Sequence, residues 1–340
     1  MSEPTPPPAP PPPIDVLRVR ISELGLTRAG SPVERHVKQL HLELARKRLK
    51  RFKPDCYLTD EWGCPDGQPI IGVPFYLADP RLMKIERERN HLESPREVMM
   101  YLRHEAGHAF NYAYRLYTTD EWRRLFGPFH RRYREHYRPV PFSRKYVRHI
   151  AGWYAQKHPD EDFAETFAVW LTPGSNWRRK YKSWPALEKL RYVDRVARLV
   201  SDRDPIVRPE ADADITADDM RVTVEQFYRR LERQNGASVN VTLEADLTDM
   251  LLPRSRRGKH LVRAAELLAK HQVELTDKIT YWTGVRRAVV RALVESMVEA
   301  SRRLELQVDH RREAHARVEL TADGTTLAMN KLTRGRFEQH

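Results

Sequence analysis

The chain carries, at residues 101–110, the stretch Tyr-Leu-Arg-His-Glu-Ala-Gly-His-Ala-Phe, which places His104 and His108 four positions apart. Residues at this spacing share one face of a helix, so both imidazoles can point at a single cation. Glu105 would face the same cation, where a carboxylate can act as a general base. The flanking residues are mostly apolar, which predicts a buried helix whose polar groups need compensation. The stretch therefore predicts a zinc centre on a buried helix.

A clear start signal precedes this helix. Ser94 is a suitable N-cap, Pro95 suits the first helical position, and Glu97 completes a capping box. The apolar periodicity continues to about Tyr117. Both histidines are therefore predicted near the middle of the helix, where their positions are rigid.

A second helix is predicted to begin at Pro159, with three acids in its first turn and an apolar face along its length. Glu161 and Glu165 are four positions apart and share a face of this helix. Two carboxylates on one buried face need a cation or protons. A catalytic zinc ion needs a third protein ligand besides two histidines, and a further carboxylate orients a liganding imidazole. The two glutamates suit these two roles, and the spacing leaves open which takes which.

The segment before these helices indicates a different kind of structure. Helical periodicity over residues 14–51 predicts an N-terminal helical layer. Residues 56–58 look extended, residues 65–67 form a turn signal, and residues 69–77 are β-branched and aromatic with two prolines. The prolines favour an edge strand. Such a strand beside a metal site could accept an extended peptide as an added strand, or it could simply be an edge without a ligand.

The chain divides at two changes of composition. Residues 1–13 are dominated by proline and are predicted to form a disordered, extended tail. Residues 14–205 contain the predicted metal site, and an acidic run begins the next region, residues 206–340, whose role is unassigned. The predicted fold class is α+β: a mostly helical domain with a small edge-stranded sheet, followed by a C-terminal helical region that ends in a β-hairpin.

Local patterns predict the elements of the C-terminal region. Residues 316–320 and 326–329 alternate around Asp323-Gly324, a strong hairpin turn signal. The other predicted elements are helices near residues 223–233, 259–270, 273–282 and 285–304 and a strand at residues 238–243. Four histidines without ligand spacing are predicted to be surface residues: His260, His271, His310 and His315.

Composition indicates a soluble protein with a strongly basic surface. Of 340 residues, 40% are apolar and 31% are charged, and the formal net charge is +13. Neither a long apolar run nor an N-terminal signal pattern occurs, so no membrane association is expected and the predicted location is cytoplasmic. Cys56 and Cys64 are too few for a disulfide framework. The charge favours acidic proteins or nucleic acid as partners, and no feature indicates an oligomeric state.

Much of the positive charge lies between residues 122 and 148, where nine Lys or Arg residues face one acid, Glu135. One interpretation is a solvated basic helix. The other is a cationic rim beside the metal site, which would select acidic substrates or hold nucleic acid with the aromatic residues Phe129, Tyr133 and Tyr137.

These motifs resemble those of the zincin metallopeptidases, in the branch that uses a glutamate as third zinc ligand. The related metzincins continue the motif with a glycine and a third histidine, whereas Asn111 and Tyr114 occupy those positions here. The placement of Tyr154 seven residues before Glu161 is similar to the catalytic layout of anthrax lethal factor. Residues 55–171 are similar to an uncharacterised bacterial family of zinc-binding metallopeptidases. The zinc-ribbon N-terminus common in that family is absent.

The resemblance implies a bacterial zinc metallopeptidase that hydrolyses peptide bonds of a peptide or protein substrate with a zinc-activated water. The implied site has three zinc ligands, a general base, a tyrosine that stabilises the oxyanion, and a carboxylate behind one imidazole. In that order these residues are His104, His108 and Glu161, then Glu105, Tyr154 and Glu165. An exchange of roles between Glu161 and Glu165 stays open.

A second class of function competes with hydrolysis. A zincin scaffold with a basic surface could bind nucleic acid or acidic proteins and have little or no hydrolytic activity. The high positive charge favours this alternative, whereas a purely structural zinc ion usually has four protein ligands and no intact general base.

Overall fold

The structure is a computed structural model, and it describes residues 15–90, 92–133, 137, 139–140, 142–210, 214–237, 243–254, 258–335 and 337. Helices dominate these residues, so the predicted mostly helical α+β class is confirmed. The strands are β1 (Asp55–Thr59), β2 (Ile70–Pro74), β3 (Leu261–Arg263) and β4 (Gln307–Asp309). The α-helices are α1 (Glu34–Arg46), α2 (Pro80–Arg89), α3 (Pro95–Ala113), α4 (Asp120–Phe126), α5 (Pro159–Leu171), α6 (Trp177–Lys180), α7 (Ala186–Leu199), α8 (Val224–Ala237), α9 (Glu244–Met250), α10 (Ala264–Lys270), α11 (Gln272–Thr283), α12 (Arg287–Arg303) and α13 (Glu313–Arg334).

The N-terminal segment has less helix than its periodicity predicts. Val16–Arg18 and Ile21–Glu23 are short 3-10 turns, and the first α-helix is α1. The Ile21 amide donates to the Val222 carbonyl at 3.0 Å, so this part of the backbone bonds to a distant segment instead of continuing a helix. α1 buries Leu40 and Leu44 and packs against α3.

The strand predicted at residues 69–77 exists as β2 but is shorter, because Phe75–Ala78 form a 3-10 turn. β2 pairs with β1 in a parallel ladder that sets Tyr57 opposite Gly72. On its other edge, Gly72 exchanges both backbone hydrogen bonds with Gly63, at 2.7 and 3.3 Å. A peptide could add to β2 at Gly72 only by displacing Gly63, and strand addition along the rest of β2 stays a prediction.

The two predicted site helices, α3 and α5, pack together in a hydrophobic core whose residues lie between Val16 and Tyr228, the first core. The Ser94–Glu97 capping box begins α3 as predicted, and the helix ends at Ala113, before the predicted end at Tyr117. Every residue of α5 is buried. The helices cross closely at Gly107, where an added Cβ would lie 2.7 Å from the Ala164 Cα atom. The missing side chain therefore allows the approach that brings the faces of the two helices together.

A second hydrophobic core is formed by residues of α9, α10, α11, α12 and α13 and by Val308 of β4, the strand that pairs antiparallel with β3. The hairpin predicted at residues 316–329 is wrong, because these residues belong to the single helix α13. Ala316, Leu320, Leu327 and Ala328 are buried at helical spacing. Gly324 is not a turn residue: an added Cβ would lie 2.5 Å from the Ile279 Cδ1 atom, so the glycine allows α13 to approach α11. Packing of the helix thus outweighs the local turn signal.

The remaining C-terminal helices agree with the predicted positions. α8, α10, α11 and α12 cover the four predicted segments, and β3 replaces the start of the second. The predicted proline-rich tail and residues 238–242 of the predicted strand lie outside the described residues. His260, His310 and His315 are exposed, whereas His271 is half-buried and bonds Glu313 at 2.6 Å.

The first core also extends beyond residue 205, because Ala217, Val224, Phe227 and Tyr228 pack into it. The division of the chain at residue 205 stays a prediction. Cys56 and Cys64 are free thiols. Within the described ranges, no helix combines the length and the apolar character needed to cross a bilayer.

Candidate metal centre

The structure brings three predicted metal ligands together between α3 and α5. The Nε2 atoms of His104 and His108 lie 3.1 Å apart. The Oε2 atom of Glu161 lies 3.0 Å from the first and 3.3 Å from the second. All three residues are buried, and together they could hold a metal ion. The four-residue spacing on α3 thus converges on a carboxylate from the second helix.

The spacing of these three atoms suits zinc. A tetrahedral zinc ion with bonds of about 2.0–2.1 Å to nitrogen and oxygen requires ligand atoms about 3.3 Å apart. The observed separations of 3.0, 3.1 and 3.3 Å are close to that value. Two imidazoles and one carboxylate are also the ligand set of a catalytic zinc site, which keeps a fourth position open. The residues present therefore fit a zinc ion.

Glu165 lies behind His104, on the Nδ1 side of its ring. Its Oε1 atom is 2.9 Å from His104 Nδ1, which directs the Nε2 atom towards Glu161. Its Oε2 atom accepts hydrogen bonds from the backbone amides of His149 and Ile150, at 3.2 and 2.9 Å. Both carboxylate oxygens are therefore occupied, and the side chain is fully buried. This geometry favours the orienting role for Glu165 and the ligand role for Glu161.

Asp160 lies behind His108 in the same way as Glu165 lies behind His104, and the sequence analysis did not predict this role. Its Oδ2 atom is 2.7 Å from His108 Nδ1 and also accepts a hydrogen bond from Tyr112 at 2.6 Å. Its Oδ1 atom accepts a hydrogen bond from Asn111 at 2.7 Å. Since Asp160 lies in the first turn of α5, the sequence indicated only a favourable helix-start charge. A search for one carboxylate behind each liganding histidine would have pointed to it.

The charges in the cluster are strongly coupled. Burial alone would lower the pKa of His104, but hydrogen bonds with Glu161 and Glu165 outweigh it and raise that pKa to about 9. Burial likewise opposes the charge on His108, and interaction with Asp160 and Glu161 raises its pKa. Burial opposes the charge on Glu161, but its bonds to both imidazoles hold its pKa well below the usual range. The buried carboxylates therefore attract positive charge, which a metal ion supplies by replacing protons.

The predicted general base, Glu105, lies beside the cluster on α3. It is only 7% exposed, and burial raises its pKa even though His104 and His108 oppose this shift. A raised pKa brings a carboxylate closer to the value at which it can exchange protons near neutral pH. The environment therefore suits a residue that accepts a proton and releases it again.

The Tyr154 ring packs edge-on against His104, with its centroid 5.6 Å from the imidazole centroid. A second phenol, Tyr133, donates a hydrogen bond to Glu161 Oε1 at 2.7 Å and also interacts with the Tyr154 hydroxyl. The Lys157 ammonium lies over both rings, 4.5 and 5.1 Å from their centroids. The structure thus adds Tyr133 and Lys157 to the predicted tyrosine.

Part of the basic segment reaches this site. Of its aromatic residues, Tyr133 contacts Glu161, and Tyr137 donates a hydrogen bond to the Gly152 carbonyl at 3.1 Å. Phe129 instead stacks on Tyr117, with ring centroids 4.2 Å apart. Residues 134–136, 138 and 141 lie outside the described residues. Aromatic residues of the segment thus contribute to the site, and the cationic rim stays a prediction.

The arrangement defines a class of site: a buried His-His-Glu cluster with a carboxylate behind each imidazole, as in zinc-dependent hydrolases. Comparison with known families agrees. Residues 70–175 match the model of the family described as "Putative zinc-binding metallo-peptidase". The matched part extends from β2 beyond the end of α5 and contains all the predicted site residues. No curated protein and no solved structure matches the chain.

Proposed function

We propose that the protein is a zinc-dependent peptidase in which His104, His108 and Glu161 hold Zn²⁺. One observation carries this proposal. Each imidazole uses its Nδ1 atom to bond a carboxylate, so both Nε2 atoms converge with Glu161 Oε2 within 3.3 Å of one another. The similarity of residues 70–175 to a zinc-binding metallopeptidase family supports the same assignment.

A bound zinc ion would polarise a peptide carbonyl and make water acidic enough to attack it near neutral pH. The residues around it have separate tasks. Glu105 takes the proton of the attacking water on its carboxylate and passes it to the leaving amine. The Tyr154 hydroxyl donates a hydrogen bond to the carbonyl oxygen as negative charge develops there. Burial keeps this hydroxyl protonated, because it raises the pKa of Tyr154 well above its usual value.

The supporting residues keep the ligands in place. Glu165 and Asp160 hold the two imidazoles in the tautomer that presents Nε2. Tyr133 occupies the second oxygen of Glu161, which leaves Oε2 for the metal ion.

Three matched variants test this function by zinc content and by peptide cleavage. Glu161→Gln should lose zinc, Glu105→Gln should keep zinc and lose hydrolysis, and Glu165→Gln should bind zinc more weakly than the wild type. Cleavage is best measured by proteome-wide profiling of new peptide termini, with Glu105→Gln protein as the background control. Full activity in the Glu105→Gln protein would refute the mechanism. Unchanged zinc content in both the Glu161→Gln and Glu165→Gln proteins would refute the ligand assignment.

One feature favours the alternative function, binding of an anionic partner. A cavity at the other end of α5 is lined by four cationic side chains, Arg46, Lys47, Arg178 and Arg179. It begins at Leu171, about 15 Å along the helix from Glu161. Binding to nucleic acid that weakens steeply with added salt, together with no cleavage by the zinc-loaded protein, would support this alternative and contradict the peptidase.

A further inference from the structure

Residues 150–154 connect two contacts that hold the His104 side chain in the candidate metal centre. At one end, the Ile150 amide donates a hydrogen bond to Glu165, which bonds His104 Nδ1. At the other end, the Tyr154 ring packs against the His104 ring. Gly152 lies midway between these two contacts. A displacement of Gly152 would therefore disturb both supports of the same imidazole.

Gly152 is in close backbone contact with Gly284, a residue of the second hydrophobic region. A Cβ atom on Gly152 would lie 2.0 Å from the Gly284 Cα atom, and a Cβ atom on Gly284 would lie 2.4 Å from the Gly152 Cα atom and 2.7 Å from the Ala151 carbonyl oxygen. Both glycines have positive φ, +79° and +70°. Neither position accommodates a side chain, so the backbone at Gly284 is in direct contact with the backbone of residues 150–154.

The C-terminal side of this contact is well anchored. Gly284 ends α11, and its amide donates to the Thr280 carbonyl at 2.8 Å. Thr283 is fully buried, and its hydroxyl donates to the Ile279 carbonyl at 2.7 Å. Further along, Arg291 on α12 donates to the Asn90 carbonyl at 2.7 Å, which ties this helix to the C-terminal end of α2. The turn between α11 and α12 is thus held from both of its helices.

We propose that the turn at residues 283–286 is a positioning element of the metal centre. Through Gly284 it holds Gly152 where Ile150 supports Glu165 and Tyr154 faces His104. The proposal gives the C-terminal region a positioning role, although none of its described residues supplies a group to the cluster. It rests on the proposed function only where peptide cleavage is the measurement.

The test compares full-length Gly284→Ala protein with a Gly174→Ala control. Gly174 has a similar φ of +68°, but nothing lies within 4 Å of its added Cβ, so the control keeps the backbone strain without the collision. Two readouts are measured: the visible absorption spectrum of the Co²⁺-substituted protein, which reports ligand geometry, and the kcat and KM of peptide cleavage. Gly284→Ala should change the Co²⁺ spectrum and lower kcat by about 10- to 100-fold, with a smaller effect on KM. The control should match the wild type in both readouts.

A double-mutant cycle separates positioning from general loss of stability. If Gly284 acts through Tyr154, the Gly284→Ala substitution should lower kcat much less in a Tyr154→Phe background than in the wild type. Gly174→Ala should have the same small effect in both backgrounds. Equal kcat losses from Gly284→Ala in both backgrounds would contradict the route through Tyr154.

Folding and the proposed peptidase activity are controlled separately. If Gly284→Ala protein fails to fold, Arg291→Met serves in its place, because it removes the bond to Asn90 without adding a Cβ at the glycine contact. The Co²⁺ spectrum of Arg291→Met protein should then differ from that of the wild type, and an unchanged spectrum would overturn the proposal. The proposal is overturned if folded Gly284→Ala protein matches Gly174→Ala in spectrum and kcat, because the C-terminal turn then moves away instead of the site. Absence of cleavage by wild-type protein would refute the proposed function, whereas the Co²⁺ spectra would still decide this inference.

Discussion

The crossing of α3 and α5 at Gly107 should control both stability and metal binding, and a Gly107→Ala substitution tests this. The added Cβ would lie 2.7 Å from the Ala164 Cα atom and 2.9 Å from its carbonyl oxygen. These are backbone atoms, so no side-chain rotation can relieve the contact. An ordinary contact begins near 3.4 Å, and the helices must therefore separate by about 0.7 Å, which is 3.4 minus 2.7.

This separation acts on two quantities. Overpacking of a core typically costs about 1–3 kcal/mol, whereas alanine in a helix interior gains about 1 kcal/mol over glycine, so the free energy of unfolding should fall by up to about 2 kcal/mol. The proposed metal ligands come from both helices, His104 and His108 from α3 and Glu161 from α5. A shift of about 0.7 Å exceeds the tolerance of about 0.2 Å in zinc–ligand distances. Zinc affinity should therefore fall at least about tenfold.

The two effects are measured by urea unfolding of the metal-free protein and by zinc competition with a chromophoric chelator. Gly324→Ala is the matched control, since it is also a helix-interior glycine. Its Cβ would meet only the side chain of Ile279, at 2.5 Å from the flexible Cδ1 end and 3.5 Å from Cγ1, and Gly324 lies in α13, outside the first core. The control should keep wild-type zinc affinity. If Gly107→Ala protein also keeps full zinc affinity and is as stable as the wild type, the close helix crossing does not position the ligands.

Three further outcomes follow from the same geometry. Asp160→Ala removes the oxygen bonded to His108 Nδ1, so zinc affinity should fall by roughly 10–100-fold; an unchanged affinity in chelator competition would exclude this role. Zinc must displace protons from His104 and His108, whose pKa values are raised, so affinity should increase with pH from about 6 to about 9; a flat profile would contradict the raised pKa values. Lys189→Met leaves Asp162 buried without the ammonium now 2.5 Å away, and the free energy of unfolding should fall by roughly 3–5 kcal/mol. Burial raises the pKa of folded Asp162 to about 7, so at pH 5 this carboxyl is protonated and does not need the Lys189 charge, whereas at pH 8 it is ionised. The decrease in the free energy of unfolding caused by Lys189→Met, measured by urea unfolding, should therefore be larger at pH 8 than at pH 5.

Local sequence patterns sufficed for the two site helices. The capping box at Ser94–Glu97 and the proline at the start of α5 depend on contacts within one helical turn, and both are observed. The spacing of His104 and His108 is likewise a property of one helix. Such signals survive folding because the chain carries them before any long-range contact forms.

The features that were missed depend on contacts between distant segments. Tyr133 reaches Glu161 across 28 residues, and Asp160 reaches His108 across 52 residues, so neither pairing leaves a local pattern. The wrong hairpin has the same origin. Asp323-Gly324 favours a turn when only the local sequence is considered. In the folded chain Gly324 packs closely against Ile279, and this contact favours glycine inside a helix.

The charges buried between α3 and α5 explain why the site suits a divalent ion. Five carboxylates are at most 7% exposed there: Glu105, Asp160, Glu161, Asp162 and Glu165. Lys189 supplies one buried positive charge, which leaves a net charge of −4 when all five acids are ionised and both histidines are neutral (1 − 5 = −4). Protonation of His104 and His108 reduces this to −2, and a zinc ion bound to neutral imidazoles reduces it by the same amount. Exchange of two protons for one zinc ion therefore keeps the electrostatic balance of the core, whereas a monovalent cation would leave one more negative charge buried without compensation.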